Sequence, residues 1–259
     1  ASQYGKPYHL DFGLSIAEEF SLADAGDAPV KPYALRETLM GVTDFALGLL
    51  RSPACSPATR LLALGGDHSI AYANMRATWE RLGRPAGGMA LVHFDSHLDT
   101  VDAVWGEQWG HASVFIRAID DGLVDPRKML SIGVKGPLNT GADLDFAASR
   151  GVTLLPFSAW AERGERVVKQ YNASRVGEPV YGTFDIDVVD PAFAPGTGTP
   201  SVGGFTSAQA LDALRLLRGL RVCGADVVEV LPDRDVSQIT ALLAAHVAME
   251  IIALDAAAA

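Results

Sequence analysis

Met89-Ala90-Leu91-Val92-His93-Phe94-Asp95-Ser96-His97-Leu98-Asp99 decides how this chain is read. An apolar run opens the stretch, and three residues of metal-ligand type close it at alternate positions. Side chains two apart on an extended segment point to one face, so Asp95, His97 and Asp99 converge at the end of a buried strand. Two further stretches repeat the design: Pro179-Val180-Tyr181-Gly182-Thr183 runs into Phe184-Asp185-Ile186-Asp187, and Leu61-Leu62-Ala63-Leu64 runs into Gly65-Gly66-Asp67-His68-Ser69. Three strand ends thus supply six candidate ligands: His68, Asp95, His97, Asp99, Asp185 and Asp187. A lone Asp-x-Asp at a strand end often only caps a loop or helix, and His68 alone carries little. Asp-x-His-x-Asp is the stronger signal, because aspartate is a poor strand former and burying three such groups uncompensated is costly.

Outward from these strand ends, apolar runs alternate with helix-like stretches. Strands are expected at 61–64, 89–94, 129–134, 152–156, 179–184 and 222–229. Helices are expected at 34–51, 69–82, 111–122, 142–150, 159–170, 207–218 and 237–254, with a helix-compatible tail to 259. That alternation defines an α/β fold, one domain with a parallel sheet sandwiched by helices on both faces. Ligands in such sheets gather outside the carboxyl ends of the strands, where the six residues sit.

A histidine and aspartate set without cysteine suits a borderline-to-hard divalent ion, Mn²⁺ more than structural Zn²⁺. Six ligands exceed the needs of one catalytic ion with an open position and suit two ions sharing bridging carboxylates. Four aspartates offset two divalent ions and would attract a cationic substrate. Metal coordination lowers the pKa of bound water from 15.7 to about 7, which supplies a nucleophile at neutral pH.

These residues resemble the ureohydrolase family, which includes arginase, agmatinase and guanidinobutyrase. The matches are Gly65 to Ser69, Asp95 to Asp99, and Thr183-Phe184-Asp185-Ile186-Asp187 continuing through the specific run Asp190-Pro-Ala-Phe-Ala-Pro-Gly-Thr-Gly-Thr-Pro200; Asp226-Val-Val-Glu229-Val-Leu-Pro232 follows. The agmatinase branch is the nearer match. The resemblance implies an arginase-like three-layer fold and two Mn²⁺ per chain. One would be held by His68, Asp95, Asp99 and Asp185, the other by Asp95, His97, Asp185 and Asp187, with Asp95 and Asp185 bridging. It implies that Glu229 pairs with the guanidinium and that His111 is the proton shuttle, so His111, Glu229 and Asp95 form the catalytic set. It also implies a homo-oligomer, trimer or hexamer. The family usually has alanine where Ser96 stands and glycine where Ala112 stands; both replacements are small and are expected to tune rather than abolish. The chain reads as one ureohydrolase domain over 1–259 that lacks the family's usual opening strand and Gly/Arg/Pro-rich loop ahead of Tyr8-His9-Leu10.

Composition agrees. The chain has 259 residues, 49% of them hydrophobic, and a formal net charge of −10. That charge argues against nucleic acid and for cationic partners. No uninterrupted run of 18 apolar residues suggests a membrane span. Cys55 and Cys223 are too few for a disulfide framework and fit a cytoplasmic, reducing setting as small packing residues.

Other residues are weighed against plainer roles. His111 opens a helix-like segment, where an imidazole near the cluster could protonate a leaving amine or simply cap or face solvent. Glu229, in an apolar strand, needs a cation or donor; a planar guanidinium pairs with it bidentately, as backbone or an arginine would. His93 reads as structural, bonded beneath the metal site, and His246 as a core histidine of an apolar helix. Gly196 to Gly204 matches no phosphate-binding pattern and reads as a rigid loop lining the pocket. Trp105 and Trp109 read as loop packing or as a cation-facing wall.

The expected activity is cleavage of a guanidino compound to urea and an amine. Residues 101–116 hold Asp102 and Glu107 and no Lys or Arg before Arg117, which suits an ammonium tail and makes agmatine, giving putrescine, the leading substrate. Lys135 could reverse this by reaching the pocket mouth. Guanidinobutyrase or another small-guanidine hydrolase is the alternative; a single-zinc deacetylase-like hydrolase and a non-catalytic homologue compete from further away.

Overall fold

A computed structural model describes residues 8–138 and 140–256. The tail at 257–259 and the expectation about what precedes Tyr8 lie outside the described residues. The chain opens with an antiparallel ribbon, β1 (Tyr8–His9) and β2 (Leu14–Ser15), and a short helix α1 (Ile16–Glu19). Then follow α2 (Leu35–Leu50), β3 (Leu62–Leu64), α3 (Ile70–Arg81), β4 (Met89–Phe94), α4 (Val114–Asp120), β5 (Val124–Ile132), α5 (Ala142–Arg150), β6 (Thr153–Leu155), α6 (Trp160–Ser174), β7 (Pro179–Asp185), α7 (Ser207–Arg215), β8 (Arg221–Val228) and α8 (Ile239–Ala256).

Each expected strand and helix is present, with three differences. The ribbon and α1 were not anticipated, because elements of two to four residues carry no readable periodicity. β5 starts at Val124 rather than 129; Asp125-Pro126-Arg127 interrupts its apolar run, and the ladder with β4 shifts register there. The segment expected as one helix from 111 divides into a 3₁₀ turn, His111–Ser113, and α4.

Six strands form one parallel sheet in the order β3-β8-β7-β4-β5-β6. From β4 the chain builds outward through β5 and β6, then crosses back to lay β7 on the other side of β4. The direction of winding therefore reverses between β4 and β7, and the crevice above that point is where open α/β sheets bind ligands.

β4 shows how the layers arise. All six of its residues are buried, as a strand covered on both faces requires. Ala90, Val92 and Phe94 pack into one layer with Val168 of α6, Leu214 of α7, and Val247 and Ile251 of α8. Met89 and Leu91 pack into the opposite layer with Leu39, Met75 and Phe115 of α2, α3 and α4. α8 is long and apolar enough by length and composition to cross a membrane; here Leu243, Val247, Ile251 and Leu254 pack into the core. His246 falls outside that stripe and is exposed, contrary to the core role expected of it; Glu250 is the buried charged residue of α8. Cys223 is buried, which pushes its thiol up to about 12, while Cys55 is half-buried.

Candidate metal centre

Each predicted ligand stands at a strand's carboxyl end or in the turn that follows. Asp95 is the first residue beyond β4, Asp185 closes β7, and His68 lies in the turn that opens α3. Gly133, just past β5, lets these turns close. Its φ is +104°, and a Cβ there would meet Val188 Cγ2 at 2.3 Å and the Asp95 carbonyl at 3.2 Å.

The six side chains converge. His68 Nδ1 has carboxylate oxygens of Asp99, Asp95 and Asp185 at 2.9, 3.2 and 3.3 Å. His97 Nδ1 has those of Asp187 and Asp95 at 3.1 and 3.3 Å. Asp95 turns Oδ2 toward His68 and Oδ1 toward His97, the placement a bridging carboxylate needs. His68, Asp95 and Asp187 are wholly buried, whereas the His97 side chain is 29% exposed. Despite its crowded surroundings, His68 Nδ1 has no hydrogen-bond partner among the described residues. A buried orphan ringed by three carboxylates fits a ligand whose lone pair is meant for a cation.

Electrostatics point the same way. Burial opposes a charged His68 ring, but Asp185, Asp95 and Asp99 outweigh it and hold His68 well above its ordinary value. His97, likewise held up against burial by Asp187 and Asp95, rises to about 11. Burial would raise Asp95, yet the imidazoles of His68, His93 and His97 around it hold it well below the usual carboxylate range. Burial and then the charges of Asp187 and Asp95 push Asp185 well above it, and burial with Asp95 raises Asp99. Neighbouring carboxylates pushed in opposite directions are short of positive charge. The cysteine-free set of carboxylates and imidazoles suits a borderline-to-hard divalent ion.

Beneath the ligands runs a polar row of which reading the sequence singled out His93 alone, as the structural histidine it proves to be. Ser131, His93, Thr183 and Asp226 are register partners across β5, β4, β7 and β8. His93 Nε2 lies 2.8 Å from Asp95 Oδ2 and its Nδ1 lies 3.0 Å from Ser131 Oγ. The ligating atoms of His68, His93 and Asp95 lie within 4.8 Å of one another, but with both nitrogens engaged His93 supports Asp95 rather than competing for an ion. Phe115 wedges against both rings, its centroid 5.2 Å from His68 and 4.3 Å from His93. The signal that could have revealed the row is the isolated polar residue inside an apolar strand: a buried Thr or Asp there needs a partner.

Asp187 is also supported from outside the ligand set. Thr199 Oγ1 donates to its Oδ2 at 3.0 Å, and Ser96 Oγ donates to its carbonyl at 2.8 Å. Lys135 Nζ donates to the Ser96 hydroxyl and to the same carbonyl, at 2.9 Å. Lys135 is thus tied down beneath the site and is not the free cation at the mouth that its position suggested.

Glu229 stands one residue beyond β8, not within it. Its φ is +64°, left-handed for a non-glycine residue, and such strain collects at functional sites. Oε1 accepts the His68 N–H at 2.7 Å, the backbone partner considered above; a Cβ on Gly198 would come 3.6 Å from Oε2, so the 196–204 loop lies against the second oxygen. Burial raises the Glu229 pKa, against the pull of the His68 N–H bonded to it. His111 is exposed at the start of its 3₁₀ turn and is not one of the converging ligands. Trp109 packs edge-on against Tyr72 at 5.0 Å with Arg36 over its ring, while Trp105 is fully exposed at a turn tip, so neither walls the cluster here.

A parallel α/β sheet carrying a carboxylate–imidazole cluster at its topological switch belongs to the class of proteins that can hold metal ions there. Comparisons with known proteins sharpen the class. The arginase family model matches residues 1–254. Guanidinopropionase of Pseudomonas aeruginosa is 40% identical over 235 residues, 90% of this chain and 71% of that protein. An agmatinase of Citrobacter koseri is 38% identical over 252 residues, 97% of this chain and 75% of that protein. The solved proclavaminate amidinohydrolase of Streptomyces clavuligerus superposes with a TM-score of 0.88 at 36% identity, over 98% of this chain and 81% of that one. The chain belongs to the arginase family and is a ureohydrolase.

Proposed function

We propose that this ureohydrolase uses two Mn²⁺ ions per chain and that its substrate is agmatine, released as urea and putrescine. The observation that carries the two-ion reading is His68 Nδ1, orphaned and ringed by three carboxylates, with a second imidazole–carboxylate group sharing Asp95. His68, Asp95, Asp99 and Asp185 would hold one ion, and Asp95, His97, Asp185 and Asp187 the other. When bound, such ions supply Lewis acidity and activate water at neutral pH.

The chain's own residues do the rest. Glu229 offers one oxygen, Oε2, toward the pocket loop while Oε1 is held by the His68 N–H. That free oxygen is suited to the guanidinium, which it would orient and neutralise. His111, exposed at the start of its 3₁₀ turn, would hand a proton to the departing amine, a role that membership of the family supports. Lys135 is committed to Ser96 and Asp187, and Arg117 is paired with Asp102. Among the described residues of 101–117 and at 135, these two cations are already partnered, which supports an ammonium-tailed substrate. The relative named guanidinopropionase motivates the second reading, a carboxylate-tailed guanidine. A cytoplasmic homo-oligomer is the accompanying proposal, supported by two unpaired cysteines and by family.

Urea release measured across agmatine, guanidinobutyrate, guanidinopropionate, arginine and guanidine tests the assignment. Agmatine is expected to give the highest kcat/KM. A higher value for either guanidino acid would overturn the tail assignment and leave the ureohydrolase class standing.

A further inference from the structure

The strand residues beneath the metal centre carry a directional chain of hydrogen bonds that the proposed chemistry has not used. Tyr181, Thr183, Asp226 and His68 are all buried. Asp226 is a carboxylate between Ala225 and Val227 of β8, both core residues. The Tyr181 hydroxyl donates to its Oδ2 at 2.7 Å, and the Thr183 hydroxyl donates to its Oδ1. Room for the Tyr181 ring comes from Gly224, where a Cβ would stand 3.2 Å from the ring edge.

The polarity of this chain follows from what each group owns. Burial raises the Asp226 carboxyl, against the pull of His68 and of the two hydroxyls bonded to it. In its ionised form it has no proton to give, so both hydroxyls donate to it, one to each oxygen. Threonine has a single hydroxyl proton. Once that proton is committed to Asp226, Thr183 Oγ1 can only accept from its other neighbour, His68 Nε2, at 2.9 Å. His68 Nε2 must then carry a hydrogen. The opposite nitrogen, Nδ1, is the one ringed by Asp99, Asp95 and Asp185.

We infer that Asp226 and Thr183 are positioning residues that fix the tautomer of His68, aiming its Nδ1 lone pair at the ion held there. This rests on the proposed two-ion reading, in which His68 is a ligand. Without Asp226 to take its proton, the Thr183 hydroxyl is free to donate to Nε2. The imidazole hydrogen would then move to Nδ1 and point into the place an ion needs. Partners of this kind behind a ligating histidine are typically worth 10–100-fold in metal affinity or activity. The effect belongs to one ion only, because His97 takes no part in the chain.

The experiment equilibrates the manganese-loaded protein against graded chelator and measures manganese retained per chain. Thr183→Val keeps the shape and removes the hydroxyl; Thr183→Ser keeps the hydroxyl; Asp226→Leu keeps the approximate size and removes every acceptor. Wild type, Thr183→Ser and Tyr181→Phe, which leaves the Thr183–Asp226 bond in place, are expected to release both ions over the same chelator range. Thr183→Val and Asp226→Leu are expected to release one ion at roughly 10–100-fold lower chelator and to keep the other. Should Thr183→Val not fold, Asp226→Leu reads the same chain from its far end. Equal retention in Thr183→Val and Thr183→Ser, or loss of both ions together in Asp226→Leu, would overturn the inference. A wild-type chain that holds two ions alongside an unchanged Thr183→Val refutes this chain of bonds alone, whereas a wild-type chain that holds fewer than two removes the proposed function with it.

Discussion

Two buried clusters in this molecule pair histidine with carboxylate, and they are built to opposite ends. At the N-terminal ribbon, His9 Nε2 lies 2.8 Å from Glu250 Oε2, and Arg215 donates to the other Glu250 oxygen from Nε at 3.0 Å and from its terminal nitrogen at 2.6 Å. Arg215 also reaches Asp11 and Asp212 at the rim, at 3.2 and 3.1 Å. The buried charge meets a cation of the chain itself, so the cluster is complete as folded. At the metal centre, Asp95, Asp99, Asp185 and Asp187 meet imidazoles, and Lys135, the fixed cation alongside, donates to a hydroxyl and a carbonyl instead of a carboxylate. A buried carboxylate left without a full partner is costly. One cluster therefore fastens the ribbon to α7 and α8, and the other stores a demand for charge that ions from solution meet.

Substitutions in the two clusters should separate accordingly. The largest effect is expected for Asp185→Asn. It removes the charge at the proposed shared position while keeping the size, so urea release should nearly vanish while the circular dichroism spectrum stays that of the wild type. Near-normal turnover with two ions still bound would take Asp185 out of the cluster. His111→Ala comes next, with turnover down by about 10²–10⁴-fold, the usual worth of a general acid, and metal content unchanged. Metal loss in that variant would mean its role has been misread.

Glu229→Gln is expected to be milder. The amide can still accept the His68 N–H but loses a charge-assisted bond worth about 1.5–3 kcal/mol, so kcat/KM should fall roughly 10–150-fold for every guanidine substrate. A fall for agmatine that spares a carboxylate-tailed guanidine would assign Glu229 to the tail. The smallest functional effect belongs to the ribbon cluster. Glu250→Gln should lower stability by about 1–3 kcal/mol, less than a fully buried pair because the Arg215 side chain is 29% exposed, with manganese retention and urea release unchanged. Chemical denaturation reads the first, and a coupled change in metal content would erase the distinction between the clusters.

Much of the metal centre was legible because its ligands repeat one device, an apolar strand ending in alternating acid and imidazole. Period two fixes the shared face, and burial cost makes the pattern unlikely without a cation. The ribbon cluster was not legible. His9 and Glu250 lie 241 residues apart, and nothing local marks either. Glu250 even sits in a helix whose composition reads as apolar core, which is also why His246 drew the attention that belonged to Glu250. The rest of the polar row was missed for another reason: Thr183 and Asp226 each stand between apolar neighbours with nothing local to mark them, and only the register of β7 against β8 makes them a pair. Lys135 was judged by its place after β5, whereas its direction is set by Ser96 and the Asp187 carbonyl, groups on two other segments.

The most direct test of the account is metal content per chain, measured together with urea release after the metal is stripped and returned. The account predicts two divalent ions per chain, no activity in the stripped protein, and recovery with Mn²⁺. One tightly held Zn²⁺ per chain, with no gain on adding Mn²⁺, would contradict it.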